Sequence, residues 1–435
     1  VIAETHMENR PVVESDRIES LDVLRGFSLL GILLLNIIGF GFVAAAYTAP
    51  GLLIEDSNDL FAWALIELTA EGSMRGIFSI LFGAGVILFL GNRREGRGWL
   101  HAKRTTWLLL FGLFNGYILL WTGDILVTYA LAGFALYFFR NLEGRTLLRL
   151  AVGLTVLITL YNTGTHFGLK YLSANVETAI ATQAAGQPVP QDVADLADQW
   201  NAFESEYAPT TEAIAQEISA RGESYHSAFL WTAKHNTVIL KGSLWSFLLP
   251  DALVMMILGM ALFKLGVLQG QLARDRYAKM AIVGFTMGFS INGFEIWFAH
   301  QSQFDLIDAF LKLAPTYHLG RMAVTLGWIG LLLWLIKGGW QSSRLVAVGR
   351  MALTNYLMQS LLCMLVFTGA GLGWIGQLQL WLVYGIVFPI WLLQLWLSPW
   401  WLKRYYYGPI EWLWRALTYG AFPALRRFNE PIKAQ

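Results

Sequence analysis

Cysteine is nearly absent: Cys363 is the single one in 435 residues, and it lies within an apolar run. That excludes an internal disulfide and any multi-cysteine metal site, so packing alone must hold the fold. Charge is scarce as well, with Asp, Glu, Lys and Arg at 14% of the chain against about 25% in soluble domains. A net charge of +1 provides no basic stripe to displace counterions, which excludes nucleic acid as a partner. The first sixteen residues, Val1 to Asp16, are polar and lack the apolar h-region of a cleaved leader, with Met7 as a second start. The first apolar stretch is too long for a signal and has no small-residue cleavage pattern, so it reads as a retained membrane helix.

What the chain has in excess is apolar surface, 56% of residues, together with 19 Trp and 16 Tyr, rings that settle at the two interfaces of a bilayer. A hydrocarbon core of ~30 Å needs ~20 apolar residues in a helix, and windows of that size recur. They fall near Leu24 to Tyr47, Glu67 to Leu90, Thr105 to Trp121, Ile125 to Phe139 and Leu147 to Tyr171. A second set lies near Trp245 to Gly266, Met280 to His300, His318 to Lys337, Met351 to Leu372 and Leu378 to Pro399. The expected fold is therefore all-α, a polytopic membrane protein of about ten transmembrane helices. Lys and Arg concentrate in alternate loops: Arg17 and Arg25, then Arg93 to Arg104, Arg140 to Arg149, Lys264 to Lys279, Lys337 to Arg350, and Lys403 to Lys433. The positive-inside rule makes that the inner side and puts both termini in the cytoplasm.

The expected organisation is a polar tail over 1–20, a membrane half over 21–172, an outer helical cap over 173–244, a second half over 245–400, and a basic C-terminal segment over 401–435. The cap is acid-rich, interrupted by Pro188 and Pro190, and reads as about two helices. Gly371, Gly373 and Gly376 match the spacing of a dinucleotide fingerprint but follow a membrane helix, so they read as close packing or a turn.

An ionisable group at mid-bilayer costs ~2.5–3.5 kcal/mol on insertion scales and therefore faces the protein interior, where it pairs or works. Two groups stand out. The outer one holds Glu71, Arg75, Asp124, Asp251, Asn292, Glu295, His318 and Arg321, with Glu71 and Arg75 four apart and so spaced for a helical ion pair. Its convergence would make a charged cavity toward the outer face; the alternative is a set of ion pairs that fix helix register. The inner one holds Asp22, Arg25, Asn355, Tyr356 and Gln359, which read either as caps and interhelical hydrogen bonds or as the inner mouth of the same pathway.

Six strings then carry a resemblance over nearly the whole chain: RIESLDVLRG (17–26), EGSMRGIFSILFGAG (71–85), GDILVTYA (123–130), PDALVMMILGMALFKLG (250–266), GRMALTNYLMQS (349–360) and YGPIEWLWR (407–415). In these the chain resembles the YeiB-like bacterial membrane proteins, domain-of-unknown-function family 418, which implies a multi-pass protein of the bacterial inner membrane. The opening string is also similar to that of a broader group of membrane acyltransferases, including heparan-glucosaminide acetyltransferase and the sugar O-acyltransferases. That likeness implies transfer of an acyl group from a cytoplasmic donor such as acyl-CoA to an acceptor hydroxyl or amine on the far side. Two departures are visible: no His lies between Ile37 and Glu67, and Asn115 stands where family members tend to carry a His.

On the acyltransferase reading His318, or else Glu295, is the base and Asp124 belongs to the catalytic set. Glu71, Arg75, Asp251, Asn292 and Arg321 bind substrate, and Asp22, Arg25, Asn355, Tyr356 and Gln359 form the donor entrance. No metal and no permanently bound cofactor are expected, only acyl-CoA as donor. Membrane lipids and a small-molecule or lipid-like substrate are the expected partners, with a homo-oligomer left open. The competing readings are a transporter of a small anionic or lipid-like solute, using Glu71, Arg75, Glu295 and Arg321, and a non-catalytic partner subunit that docks through the cap.

Overall fold

The structure is a computed structural model that describes residues 18–91, 97–305, 307 and 315–427. It is all-helical, and among the described residues the only β-type pairing is an isolated bridge between Tyr405 and Arg426. Seven helical stretches are by length and composition able to cross a membrane: Glu19–Gly41 (α1), Ser57–Leu90 (α2 and α3), Gly144–Ala184 (α6), Leu244–Lys264 (containing α10, Leu249–Lys264), Arg274–Gln301 (α11), Tyr317–Lys337 (α12) and Leu380–Leu402 (α15). Ser343–Arg350 (α13) and Ala352–Phe367 (α14), bent by 81°, make an eighth if taken together. The two remaining expected spans are Arg97–Tyr117 (α4), whose first turns carry Arg97, Lys103 and Arg104, and Ile125–Phe139 (α5), only 15 residues long.

Three departures from the sequence reading have local causes. The second span is a helix pair, Ser57–Thr69 (α2) and Ser73–Leu90 (α3), broken where Gly72 takes φ +64°, a conformation that costs other residues. Helix α6 continues for 41 residues, ~60 Å at ~1.5 Å per residue, and so runs out of the bilayer into the cap without a break. The cap holds three helices after it, Gln191–Tyr207 (α7), Thr211–Gly222 (α8) and Tyr225–Lys241 (α9), rather than two.

Helix α1 is the centre of the bundle: 72% of its spanning window is buried, against 22% for α6. On α6 the exposed face carries Val152, Val156, Leu157 and Leu160, a stripe suited to lipid. The cap is fastened to the outer end of α1 by Arg221 of α8. Its guanidinium donates to the carbonyls of Gly39, Phe40 and Phe42, which are left without helical partners as α1 ends. Glu217 holds that guanidinium at 2.9 Å and accepts the Ala44 N–H. Two of the glycines set aside as a fingerprint pack here: Gly373 takes φ +66° beside Gly222, and Gly376 takes φ +65° beside Ile218, its N–H donating to the Gly41 carbonyl.

Candidate functional site

On the outer side the sequence-predicted ions do meet, and Arg321 is their centre. It is 3% exposed. Its Nη2 meets Glu67 Oε1 at 2.5 Å, its Nε meets Glu71 Oε2 at 2.6 Å, and its Nη1 pairs with Glu295 and donates to Asn292 Oδ1 at 2.8 Å. Glu71 lies in the break before α3, so its four-residue distance from Arg75 is not a helical step. It meets Arg321 instead, and the Tyr317 hydroxyl bridges the two: it donates to Glu71 at 3.1 Å and accepts from Arg75 at 3.2 Å.

Arg75 turns toward Asp251, 3.2 Å away, and the other Asp251 oxygen stands 3.2 Å from His318 Nδ1. The amide nitrogen of Asn162 faces His318 Nε2 at 3.1 Å, so both ring nitrogens have a polar partner. Between Arg75, Asp251, Tyr317 and His318 remains a void of about 20 Å³, room for about one water. The expected outer hollow is thus a closed ion network. The reason is stoichiometric: every strong cation there has found carboxylates, and buried charges collapse onto their partners.

The large cavity, about 310 Å³, lies on the inner side. Its wall follows α3 from Phe78 to Phe89, ~16 Å of helix rise. Apolar side chains such as Leu81, Phe82, Leu108, Leu126 and Leu353 line the shaft. At the Phe89 end gather Arg25, Arg104, Arg350 and Arg415 with Asp22 and Glu411. Arg25 pairs with Asp22 at 2.6 Å, and the Arg104 guanidinium stacks between Phe89 and Trp414. Four arginines against two carboxylates leave a positive mouth, and burial raises the Glu411 carboxyl above its ordinary pKa. Glu411 belongs to Pro409–Tyr419 (α16), an interfacial helix clamped to the start of α14 by Thr354, whose N–H and hydroxyl both donate to that carboxylate.

The closed end of the shaft carries two tyrosine hydroxyls. Tyr129 lies 2.7 Å from Ser79 Oγ and donates to the Arg75 carbonyl, which ties the shaft to the backbone of an outer-network residue. Tyr356 donates to Asp124 Oδ1 at 3.3 Å. This corrects the placement of Asp124, expected among the outer ions. The hairpin between α4 and α5 folds inward, with Leu120 and Trp121 both 2% exposed and Leu120 at φ 57°, strained for a leucine. Asp124 therefore caps α5 inside the protein, accepting from the Val127 N–H at 2.9 Å and from Asn115 Nδ2 at 2.8 Å.

Two further expectations are corrected. Asn355 and Gln359 do not line the entrance: they are 1% and 2% exposed and join α14 to α15 through Ser398 and Gln394. Of the inner group, Asp22, Arg25 and Tyr356 do reach the cavity. Sequence reasoning passed over Glu67, taken as the first residue of a span, and Arg104, Arg350 and Arg415, counted only as inner-loop charge.

Five of the six strings that carried the resemblance contribute to the inner cavity, through Asp22, Phe82, Tyr129, Tyr356 and Trp414 among others; the sixth supplies Asp251 to the outer network. The sequence profile of the family described as protein of unknown function (DUF418) matches residues 262–421. The chain is 32% identical to the uncharacterized protein YeiB of Escherichia coli (strain K12), over 95% of its own length and 99% of that protein. It is 27% identical to the uncharacterized protein YxaH of Bacillus subtilis (strain 168), over 94% of this chain and 96% of that one. An uncharacterized 39.9 kDa protein in the amylase 3' region of Bacillus acidopullulyticus matches at 27% over 95% and 98%. With one relative so similar from end to end, the chain belongs to the YeiB-like DUF418 family.

Proposed function

We propose that the protein is an acyltransferase of the bacterial inner membrane. It takes an acyl group from a cytoplasmic, acyl-CoA-like donor and passes it to a hydroxyl or amine at the outer face. The observation that carries the reading is the form of the inner cavity: a cationic mouth, an apolar shaft ~16 Å deep, and hydroxyls at the closed end backing onto the outer ions. A donor with a phosphate-bearing head and a long narrow arm fits that polarity, its phosphates at Arg25, Arg104, Arg350 and Arg415. On the outer side His318 is the base, held by Asp251 at Nδ1, and the Asn162 amide at its Nε2 must give way to the acceptor. Glu295 is committed to Arg321. Transfer requires the Tyr129 and Arg75 partition to part, since the closed void admits no acceptor.

Gly85 makes the test clean. It lines the shaft, and a Cβ there meets nothing within 4 Å. Gly85→Leu should leave the fold intact, even gaining helix propensity of roughly 1 kcal/mol, while plugging the shaft. Reconstituted protein given labelled acetyl-CoA should release CoA, and the variant should not. Equal release by both proteins, or none by the wild type, sinks the reading.

Transport is the second reading, favoured by one observation: the outer side is shut by the Arg321 network while the inner side stands open, the arrangement of a carrier between steps. Solute flux into proteoliposomes that disappears in Arg75→Ala would support it over the enzyme.

A further inference from the structure

We infer that the outer side carries a site for a small monovalent cation, of the size of Na⁺, in a pocket bounded by Tyr47, Glu67, Glu71 and Tyr384. The pocket is a second void, separate from the one at His318. The inference does not rest on acyl transfer and is unchanged by whichever reaction the inner cavity serves.

Charge balance creates the need. Glu67, Glu71 and Glu295 share the single guanidinium of Arg321, which leaves two negative charges over. Arg75 and Asp251 cancel one another, and His318 beside Asp251 offsets one charge at most, when it is protonated. Among the described residues the buried outer network is therefore short of positive charge, and an ion left uncompensated in a low-dielectric interior is costly. An ionised carboxylate accepts at about four lone-pair sites, so sharing a guanidinium does not close either pocket glutamate to a further cation.

The pocket supplies the place. It is a void of about 30 Å³, room for about two waters, with Leu53 and Trp63 completing its wall beside the two glutamates and two tyrosines. Among the described residues no Lys, Arg or His lines it. Tyr47 stands in the turn that follows α1 and is 42% exposed, so the pocket adjoins the outer surface. The Tyr384 hydroxyl is the independent sign of a ligand. It belongs to a residue only 8% exposed, has no hydrogen-bond partner, and lies within electrostatic reach of Glu67 and Tyr47. Buried hydroxyls are nearly always satisfied. A water would satisfy this one and leave the charge unmet, whereas a cation ligated by the hydroxyl and carboxylate oxygens meets both needs. Ca²⁺ takes ~6–8 oxygens and Mg²⁺ keeps several waters, more than two carboxylates already shared with Arg321 and two phenols supply in so small a space. A monovalent ion with few ligands fits it.

The test is the thermal unfolding temperature of the purified full chain in detergent, titrated with NaCl against choline chloride at one total ionic strength. A cation that binds only the folded state raises that temperature with its concentration. Na⁺ should do so and saturate, K⁺ should do less, and choline nothing. Tyr384→Phe keeps the packed ring and removes the oxygen, so it should fold as the wild type does in choline and need on the order of tenfold more Na⁺ for half the effect. Glu67→Gln should respond to no cation. One temperature in all three salts would overturn the inference and leave the surplus charge to bound protons. An equal response to K⁺, or a wild-type Na⁺ response in Tyr384→Phe, would overturn it by taking the ion out of this pocket. Stabilisation by methylammonium and not by Na⁺ would overturn it in favour of an acceptor amine. No acyl donor enters the measurement, so its failure leaves the acyltransferase reading standing.

Discussion

Arg321 is the residue on which the outer half of the molecule balances. Its side chain is 4% exposed and faces Glu67, Glu71 and Glu295, so removing it would leave three carboxylates in a low-dielectric interior. Breaking a buried pair from one side costs ~3–5 kcal/mol, and Arg321→Met should lose at least that, read as a drop in thermal unfolding temperature in detergent. Adding Glu295→Gln should recover part of the loss, because the two changes share one interaction and are not additive. Arg321→Lys should fail to substitute, since an ammonium cannot engage three carboxylates as a planar fork does. Full stability of Arg321→Met would mean the glutamates are satisfied elsewhere. The cost of an ion in lipid made Arg321, Glu71, Glu295 and Asn292 legible as one group from sequence. Glu67 was not, because it sits at the helix end where hydropathy marks only the start of a span.

Helix contacts explain why the family strings are where they are. A Cβ at Gly26 would overlap the Leu345 carbonyl oxygen, and one at Gly349 the Asp22 carbonyl oxygen, so the first and fifth strings hold α1 against α13 backbone to backbone. Gly83 and Gly259 do the same for α3 and α10 against Met256 and Ile80. Gly349→Ala should therefore push α1 away from α13 and cost ~1–3 kcal/mol, the range for overpacking, whereas Gly85→Leu, a larger change on a neighbouring wall, should be tolerated. Thermal unfolding of the two side by side checks it, and equal behaviour would show that the contact yields. Spans were legible at this scale because an apolar run of bilayer length has few other uses. The break at Gly72 and the bend at Met351 were not, since hydropathy records apolar content and not the backbone angle at which one helix gives way to the next.

At the scale of the whole molecule, function depends on which side the cavity faces, and that is decided by charge alone. Arg25, Arg104, Arg350 and Arg415 gather from four separate stretches of chain onto one mouth, while Arg221 anchors the cap at the opposite end of α1. Basic loops are retained in the cytoplasm, so the mouth should open to the compartment where acyl-CoA is made. The lone cysteine supplies the assay: Cys363 is 0% exposed and should stay unlabelled, leaving introduced cysteines on a silent background. Gln187→Cys, exposed in the cap between α6 and α7, should react with a membrane-impermeant maleimide on intact cells. Gln341→Cys, exposed just before α13, should react only after the membrane is permeabilised. The reverse pattern would turn the cavity outward, and no cytoplasmic thioester could then enter the shaft whatever its affinity for the arginines.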